Sequence, residues 1–171
     1  LARKGQAVSV FEAEEHAGGA CWLIPEHRLP RGVLESDLAW LQQMSGMEIK
    51  TSSRVAAPAE LLAQGFEAVI VASGLNQPIA MGIPGEERAV AGLTYLKNPA
   101  ALPMPGMVAV IGGGATAVDC AVTAHKQGAR RVEMISLERW DEMPLTASER
   151  AELQHEGIEL LGRTRLCALR G

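Results

Sequence analysis

Val108 to Asp119 read VAVIGGGATAVD, and their order decides the fold. Val108, Ala109, Val110 and Ile111 spell a short buried strand. Gly112, Gly113 and Gly114 follow at once, and a helix-forming run opens at Ala115. Strand, glycine turn and helix together are the context in which a G-x-G-x-x-G/A match carries meaning. Gly112 lets the chain turn sharply, and Gly114 leaves its backbone bare for a pyrophosphate. Ala117 keeps the helix close to the strand. The first turn of that helix offers unpaired N–H groups and the positive end of its dipole to phosphate oxygens. The competing reading is a tight strand-to-helix turn with no ligand.

The next strand is expected over 131–136 (RVEMIS), after a helix that runs to about Gln127 and ends at Gly128. Its tip is Ser136-Leu137-Glu138-Arg139. Glu138 lies 24 residues past Gly114, near the ~20-residue spacing of an acid that binds an adenosine ribose. A carboxylate there accepts hydrogen bonds from both ribose hydroxyls and repels a 2′-phosphate, which favours NADH over NADPH. Arg139 is the alternative, a guanidinium suited to that phosphate. Thr146 and Glu149 have the spacing of a capping box for a helix over 147–155, and a last strand follows at 158–161.

Upstream, 1–5 (LARKG) reads as the end of a helix closed by glycine, and 7–12 (AVSVFE) as a strand ending in an acid, Glu12. That repeats the plan around Glu138, so two nucleotide-binding units are expected. The glycine loop that should precede Glu12 by ~20 residues is not in this sequence. With no initiator Met at the start, the chain reads as a fragment. Between the units lie an irregular loop at 16–30, a helix over 31–45, a short strand at 48–52 and a short helix at 59–64. A buried strand is expected at 68–72 (AVIVA), broken by Ser73–Gly74. A GIPGEE turn, a short helix near 93–96 and a proline-rich linker lead into the triple glycine.

Bulk properties narrow the function classes. The 171 residues are 47% hydrophobic with net charge −4, an ordinary globular composition. No Lys/Arg cluster suggests nucleic acid, and no apolar run reaches the ~18 residues of a membrane span. Cys21, Cys120 and Cys167 form no C-x-x-C, so neither zinc nor a redox disulfide is indicated; such usage suits a reducing cytoplasm. The four histidines have no metal spacing, and no serine sits in a nucleophile elbow. No catalytic residue and no metal ligand is assigned.

Five motifs occur in order: GG-x₄-IPEHRLP (Gly18 to Pro30), A-S-G (Ala72 to Gly74), GIPGE (Gly82 to Glu86), GGGATAVDCA (Gly112 to Ala121) and DEMP (Asp141 to Pro144). The set resembles the small subunit of glutamate synthase and its relatives, including the amino-terminal flavin module of dihydropyrimidine dehydrogenase. The resemblance covers nearly the whole chain. It implies an α/β fold of two Rossmann-like three-layer units, the first incomplete. Residues 1–100 would be a partial FAD-binding domain and 101–171 an NAD(P)H-binding domain. Hydride would pass from nicotinamide to flavin, and electrons would leave singly through iron–sulfur clusters outside this chain. The implied partners are a large catalytic subunit or domain and an iron–sulfur domain.

By the same resemblance Glu12 would contact the FAD ribose. Gly18, Gly19, Arg28 and Leu29 would lie along its pyrophosphate and ring edge, with Gly74 where the chain passes the cofactor. Gly112, Gly114, Ala115 and Thr116 would hold the pyrophosphate of NAD(P)H. The chain departs from the family pattern in carrying Leu137–Glu138 where many relatives have two arginines suited to a 2′-phosphate. The family's FAD glycine loop, carboxy-terminal Gly-Asp segment and cluster cysteines are also absent from the sequence, so the fragment alone is expected to bind FAD weakly or not at all. A nucleotide-binding or partner-docking module without turnover is the rival reading. A thioredoxin-reductase-type disulfide reductase is disfavoured by the missing C-x-x-C.

Overall fold

A computed structural model describes residues 1–75 and 77–170. The chain divides into two compact units: Leu1–Trp22 with Glu26–Leu75, and Leu23–Pro25 with the described part of Asn76–Gly171.

The second unit contains β3-α4-β4-α5-β5, after the short helix α3 (Gly92–Lys97). Strands β3 (Met107–Ile111), β4 (Arg131–Ile135) and β5 (Glu159–Leu161) are parallel, in that order. Each crossover is a helix, as parallel neighbours require. Helix α4 (Ala115–Lys126) is built of small and β-branched apolar residues, and Ala117 to Val122 and Ala124 are all buried. Val118 and Val122 pack with Val132 and Met134 of β4, Leu153 of α5 (Ala147–His155), and Ile158. Met134 and Leu153 are fully buried, and each contributes about 1.5–3 kcal/mol by leaving water. Helix α5 starts as its spacing predicts: the Thr146 hydroxyl accepts from the Glu149 N–H at 3.2 Å, and the Thr146 N–H donates to the Glu149 carboxylate at 2.8 Å. Tyr95 of α3 donates to Gln127 Oε1 at 2.6 Å. The Cys120 thiol lies beneath Gly92.

The expected buried strand Val108–Ile111 is buried on one side only. Val108 and Val110 face the core, whereas Ala109 is exposed and Ile111 is 40% exposed. Helix α4 packs on β3 and β4, and α5 packs on α4 and sends Leu153 into the same core.

The GIPGE turn is closed by its own acid. Glu86 accepts from the N–H groups of Met81 at 2.6 Å and Gly82 at 2.8 Å. These donors, Met81 first, hold its carboxyl below the ordinary glutamate range. The turn also pairs with the end of the chain, where the Leu169 N–H donates to Pro84 O at 2.9 Å.

The first unit is smaller in its order. Strands β1 (Ser9–Phe11) and β2 (Glu48–Lys50) are parallel, with Val10 opposite Ile49. Helix α1 (Arg31–Ser45) joins them and ends at Gly46 with φ +61°, the left-handed cap that glycine allows. Helix α2 (Pro58–Ala63) follows. Phe11 meets Phe66 edge to face, with ring centres 5.7 Å apart. Leu34 and Leu61 are the buried apolar residues of this unit among those described.

The expected buried strand at 68–72 does not form. Ala68 to Ala72 carry no strand pairing, and Ile70 and Val71 are 70% and 69% exposed. A parallel strand requires a neighbour to accept its hydrogen bonds, and among the described residues neither sheet supplies one to this run. The apolar pattern is therefore present without the partner that would bury it.

Candidate functional site

The candidate site lies beyond the carboxyl ends of β3 and β4, the edge at which open α/β sheets bind ligands. Ile111 and Ile135 are register partners, so the glycine turn after β3 and the acid tip after β4 leave the sheet side by side. The Gly112 N–H extends the ladder to Ile135 O at 2.9 Å. Its φ of +138° is open to glycine and strained for other residues.

The three glycines have different surroundings. A Cβ on Gly114 would meet nothing within 4 Å, so the space the sequence reserves for a pyrophosphate is open. A Cβ on Gly113 would lie 2.5 Å from Ser136 Oγ and 3.0 Å from Glu138 Oε2. Gly113 therefore marks where the β3 turn passes the β4 tip, a role that sequence reading left unassigned. Gly114 caps α4 without a side-chain hydrogen bond. Its carbonyl accepts from the Ala117 and Val118 N–H groups. The N–H groups of Ala115 and Thr116 have no hydrogen-bond partner among the described residues. Unpaired donors, a helix dipole and bare backbone fit the diphosphate of a dinucleotide.

Glu138 is folded back over the turn. The Ser136 hydroxyl donates to Glu138 Oε2, and the Glu138 N–H donates to Ser136 Oγ at 3.1 Å. Ser136 is buried at 2% exposure. Its hydroxyl is the main reason that the Glu138 carboxyl sits below the ordinary glutamate range. The main chain here is pinned by the exit from β5: Ser136 N donates to Leu161 O at 3.0 Å, Thr164 N to Ser136 O at 2.9 Å, and Arg163 N to Glu138 O at 3.2 Å. The nearby cations already face acids. Arg139 Nε lies 3.1 Å from Asp141 Oδ1, and an Arg163 guanidinium nitrogen lies 2.7 Å from Glu142 Oε1.

The DEMP loop is fastened from α5. Arg150 donates to the carbonyls of Trp140 and of Met143, the latter at 2.7 Å, and stacks on the Trp140 ring with its central carbon 5.0 Å from the ring centre. No sequence signal links an arginine on a helix to a loop ten residues earlier.

The residues proposed for FAD all belong to the first unit. Glu12 continues the pairing of β1, its N–H donating to Lys50 O at 2.9 Å, while its carboxylate accepts from the Glu14 N–H at 3.0 Å. Gly18 and Gly19 adopt φ of +119° and +52° in the turn that opens a short 3-10 helix, Gly19–Leu23. The Trp22 indole fastens that turn by donating to Ala17 O at 2.6 Å. Arg28 and Leu29 lie on the loop before α1, and Gly74 has φ +75° after the unpaired AVIVA run. A cavity of about 370 Å³ in this unit is lined by Glu15, His16, Trp22 and Glu35, among others, and its lining includes none of the six.

The thiols offer no dithiol chemistry. Cys21, Cys120 and Cys167 are free, and burial, then the charge of Asp119, pushes Cys120 up to about 12. Among the described residues no group of three His, Cys, Asp or Glu side chains is placed to hold a metal, and no helix is long and apolar enough to cross a membrane.

The fold is Rossmann-like α/β, and its glycine turn has the form of a dinucleotide-binding turn. Comparison with known families makes this specific: residues 1–171 match the pyridine nucleotide-disulphide oxidoreductases, and the chain belongs to that family. It is 34% identical over 169 residues to the NADP(+)-dependent formate dehydrogenase subunit beta of Moorella thermoacetica, covering 92% of this chain and 24% of that one. It is 31% identical over 172 residues to the NAD-dependent dihydropyrimidine dehydrogenase subunit PreT of Escherichia coli O157:H7, covering 94% and 40%. Against the glutamate synthase [NADPH] small chain of Mycobacterium tuberculosis the identity is 31%, covering 89% and 34%. The resemblance read from the motifs is thereby borne out. The chain spans about a quarter to two-fifths of the length of these relatives. The solved 2-naphthoyl-CoA reductase complex has the same fold, with TM-score 0.77 and 16% identity over 99% of this chain and 26% of that one.

Proposed function

We propose that this chain is the electron-input module of an NAD(P)H-dependent flavoprotein oxidoreductase of the glutamate synthase small-subunit type. In this reading residues 101–171 bind the nicotinamide nucleotide and 1–100 contribute part of an FAD site. The observation that carries it is the bare turn Gly112–Gly114 leading into an α4 N-terminus whose first amides are unpaired. Gly112, Gly114, Ala115 and Thr116 hold the pyrophosphate, and Glu138 receives the adenosine ribose. Glu12, Gly18, Gly19, Arg28, Leu29 and Gly74 approach FAD. When bound, the two cofactors supply the hydride and electron chemistry, and the protein supplies distance, orientation and electrostatics.

NADH is the preferred nucleotide in this reading. An ionised Glu138 stands where a 2′-phosphate would lie, and Arg139 and Arg163, the cations that would welcome that phosphate, already face Asp141 and Glu142. The relatives do not decide the matter, since their names include both NAD- and NADP-dependent enzymes. Electrons continue to iron–sulfur clusters and a larger catalytic subunit or domain outside these residues. The module works in the cytoplasm, where free thiols persist.

Titration of the purified chain with NADH, NADPH and FAD, with dye reduction as the activity readout, tests the proposal. NADH binding with dye reduction in added FAD supports it. NADH binding without flavin uptake or turnover supports the docking-module reading instead. Failure to bind either nicotinamide nucleotide overturns the assignment.

A further inference from the structure

Ser136 touches neither the proposed pyrophosphate cradle nor the ribose directly, yet its side chain is fully engaged. It is a hydroxyl residue at 2% exposure just past the end of β4, continuing the buried side of Val132 and Met134, two positions before the acid proposed to read the ribose. The chain bends at Leu137 and Glu138, and both side chains point at the glycine turn.

We infer that Ser136 is a positioning residue for nucleotide selection: its buried hydroxyl latches the Glu138 carboxylate over Gly113, in the orientation that accepts a ribose diol and excludes a 2′-phosphate. The inference rests on the proposed role of Glu138. Three observations carry it. First, the hydroxyl closes a ring with one residue, donating to Glu138 Oε2 while accepting from the Glu138 N–H at 3.1 Å. Second, the platform under the hydroxyl is rigid, because both main-chain groups of Ser136 and the Glu138 carbonyl are hydrogen-bonded to the β5 exit at 3.0, 2.9 and 3.2 Å. Third, the turn has made room for the pair: any side chain at Gly113 would run into Ser136 Oγ at 2.5 Å and Glu138 Oε2 at 3.0 Å.

The latch occupies one carboxylate oxygen and leaves Oε1 for the ligand. A glutamate side chain is flexible, and ordering it on binding costs affinity. A hydroxyl that orders it beforehand removes that cost, worth about three- to tenfold in affinity. The same restraint keeps the negative charge from swinging away when a 2′-phosphate approaches. Losing it is therefore expected to weaken NADH and to spare or improve NADPH.

The test is a double-mutant cycle on the full chain, read as dissociation constants for NADH and NADPH. The matched fragments 5′-AMP and 2′,5′-ADP isolate the ribose from the rest of the nucleotide. Ser136→Ala is expected to lower the NADH-over-NADPH preference about three- to tenfold. In a Glu138→Ala background the same change should do nothing, because the residue through which it acts is gone. Ser136→Thr, which keeps the hydroxyl, should restore the preference. Gly113→Ala, which pushes on the latch from the other side, should reproduce the loss. A purely structural serine would weaken both nucleotides alike in either background, and that result overturns the inference. An unchanged ratio in Ser136→Ala overturns it too, while a Glu138→Arg variant that inverts the preference leaves the reading of the acid standing. If Glu138→Arg leaves the ratio unchanged, or the wild-type chain binds neither nucleotide, the reading of the acid fails and the latch with it.

Discussion

Around β4, three parallel strands share a core with two helices, and Met134 and Leu153 are sealed from water. Around β1 there are two strands of three residues, and Leu34 and Leu61 keep residual exposure. Both regions follow the strand–helix–strand plan, and both carry an acid past a strand end. The difference lies in what the neighbouring chain supplies. β4 has a partner on each side, so its ladder and its core close together. The AVIVA run has the right residues and, among the described residues, no strand to lie against. A hydrophobic pattern specifies which face wants burial; pairing decides whether the burial happens.

Hydrogen exchange is the most direct way to break this contrast. Amides of β4 should exchange roughly 10³-fold or more slower than those of Ala68–Ala72, since opening energies run from near zero to the global stability. Equal protection would mean that the run finds a partner in solution. Met134→Ala should cost the second unit about 2–5 kcal/mol in denaturant unfolding; a much smaller loss would show that its core is loosely packed. Gly114→Val should leave the thermal midpoint nearly unchanged, because its Cβ points into open space. It should cost roughly 100-fold or more in NADH affinity by displacing charge-assisted hydrogen bonds to the α4 amides. Retained affinity in a titration would remove that turn from the site.

Glu138→Arg should move the NADH-to-NADPH ratio by about tenfold toward NADPH, the scale of one charged hydrogen bond. The smallest effect belongs to Glu86. Its folded carboxyl is held below the ordinary value by the Met81 and Gly82 amides. The stability it adds is therefore complete above the ordinary glutamate value and lost as pH falls through the lowered one. Glu86→Gln should lower the thermal midpoint at about pH 6, and the gap from the wild type should close toward about pH 3. A gap that stays constant with pH would remove the carboxylate from the lock on the turn.

Much of this was legible in the sequence because local rules and tertiary context agree. The helices over 31–45 and 147–155 begin and end where glycine caps and the Thr146–Glu149 box place them. The glycine turn between β3 and α4 follows from its spacing alone. Two things were hidden. Burial of a strand depends on what covers it, so Ile111 and the run at 68–72 read as core and are exposed. Contacts between loops distant in sequence leave no periodic trace. Hence Gly113 under Ser136 and Glu138, Arg150 beneath the DEMP loop, and Leu169 on the GIPGE turn emerge only in three dimensions. For Ser136 a faint signal existed, a hydroxyl two residues before the acid, but polarity at a strand end is common and names no partner.

The bare stretch from Ala68 to Ala72 has a practical side for anyone purifying this polypeptide. Three β-branched residues flanked by alanines, with main-chain donors unpaired among the described residues, are the material from which intermolecular sheets grow. Stock solutions should cloud on concentration or warming, and a single lysine in place of Ile70 or Val71 is the sort of gatekeeper that keeps such a segment dispersed.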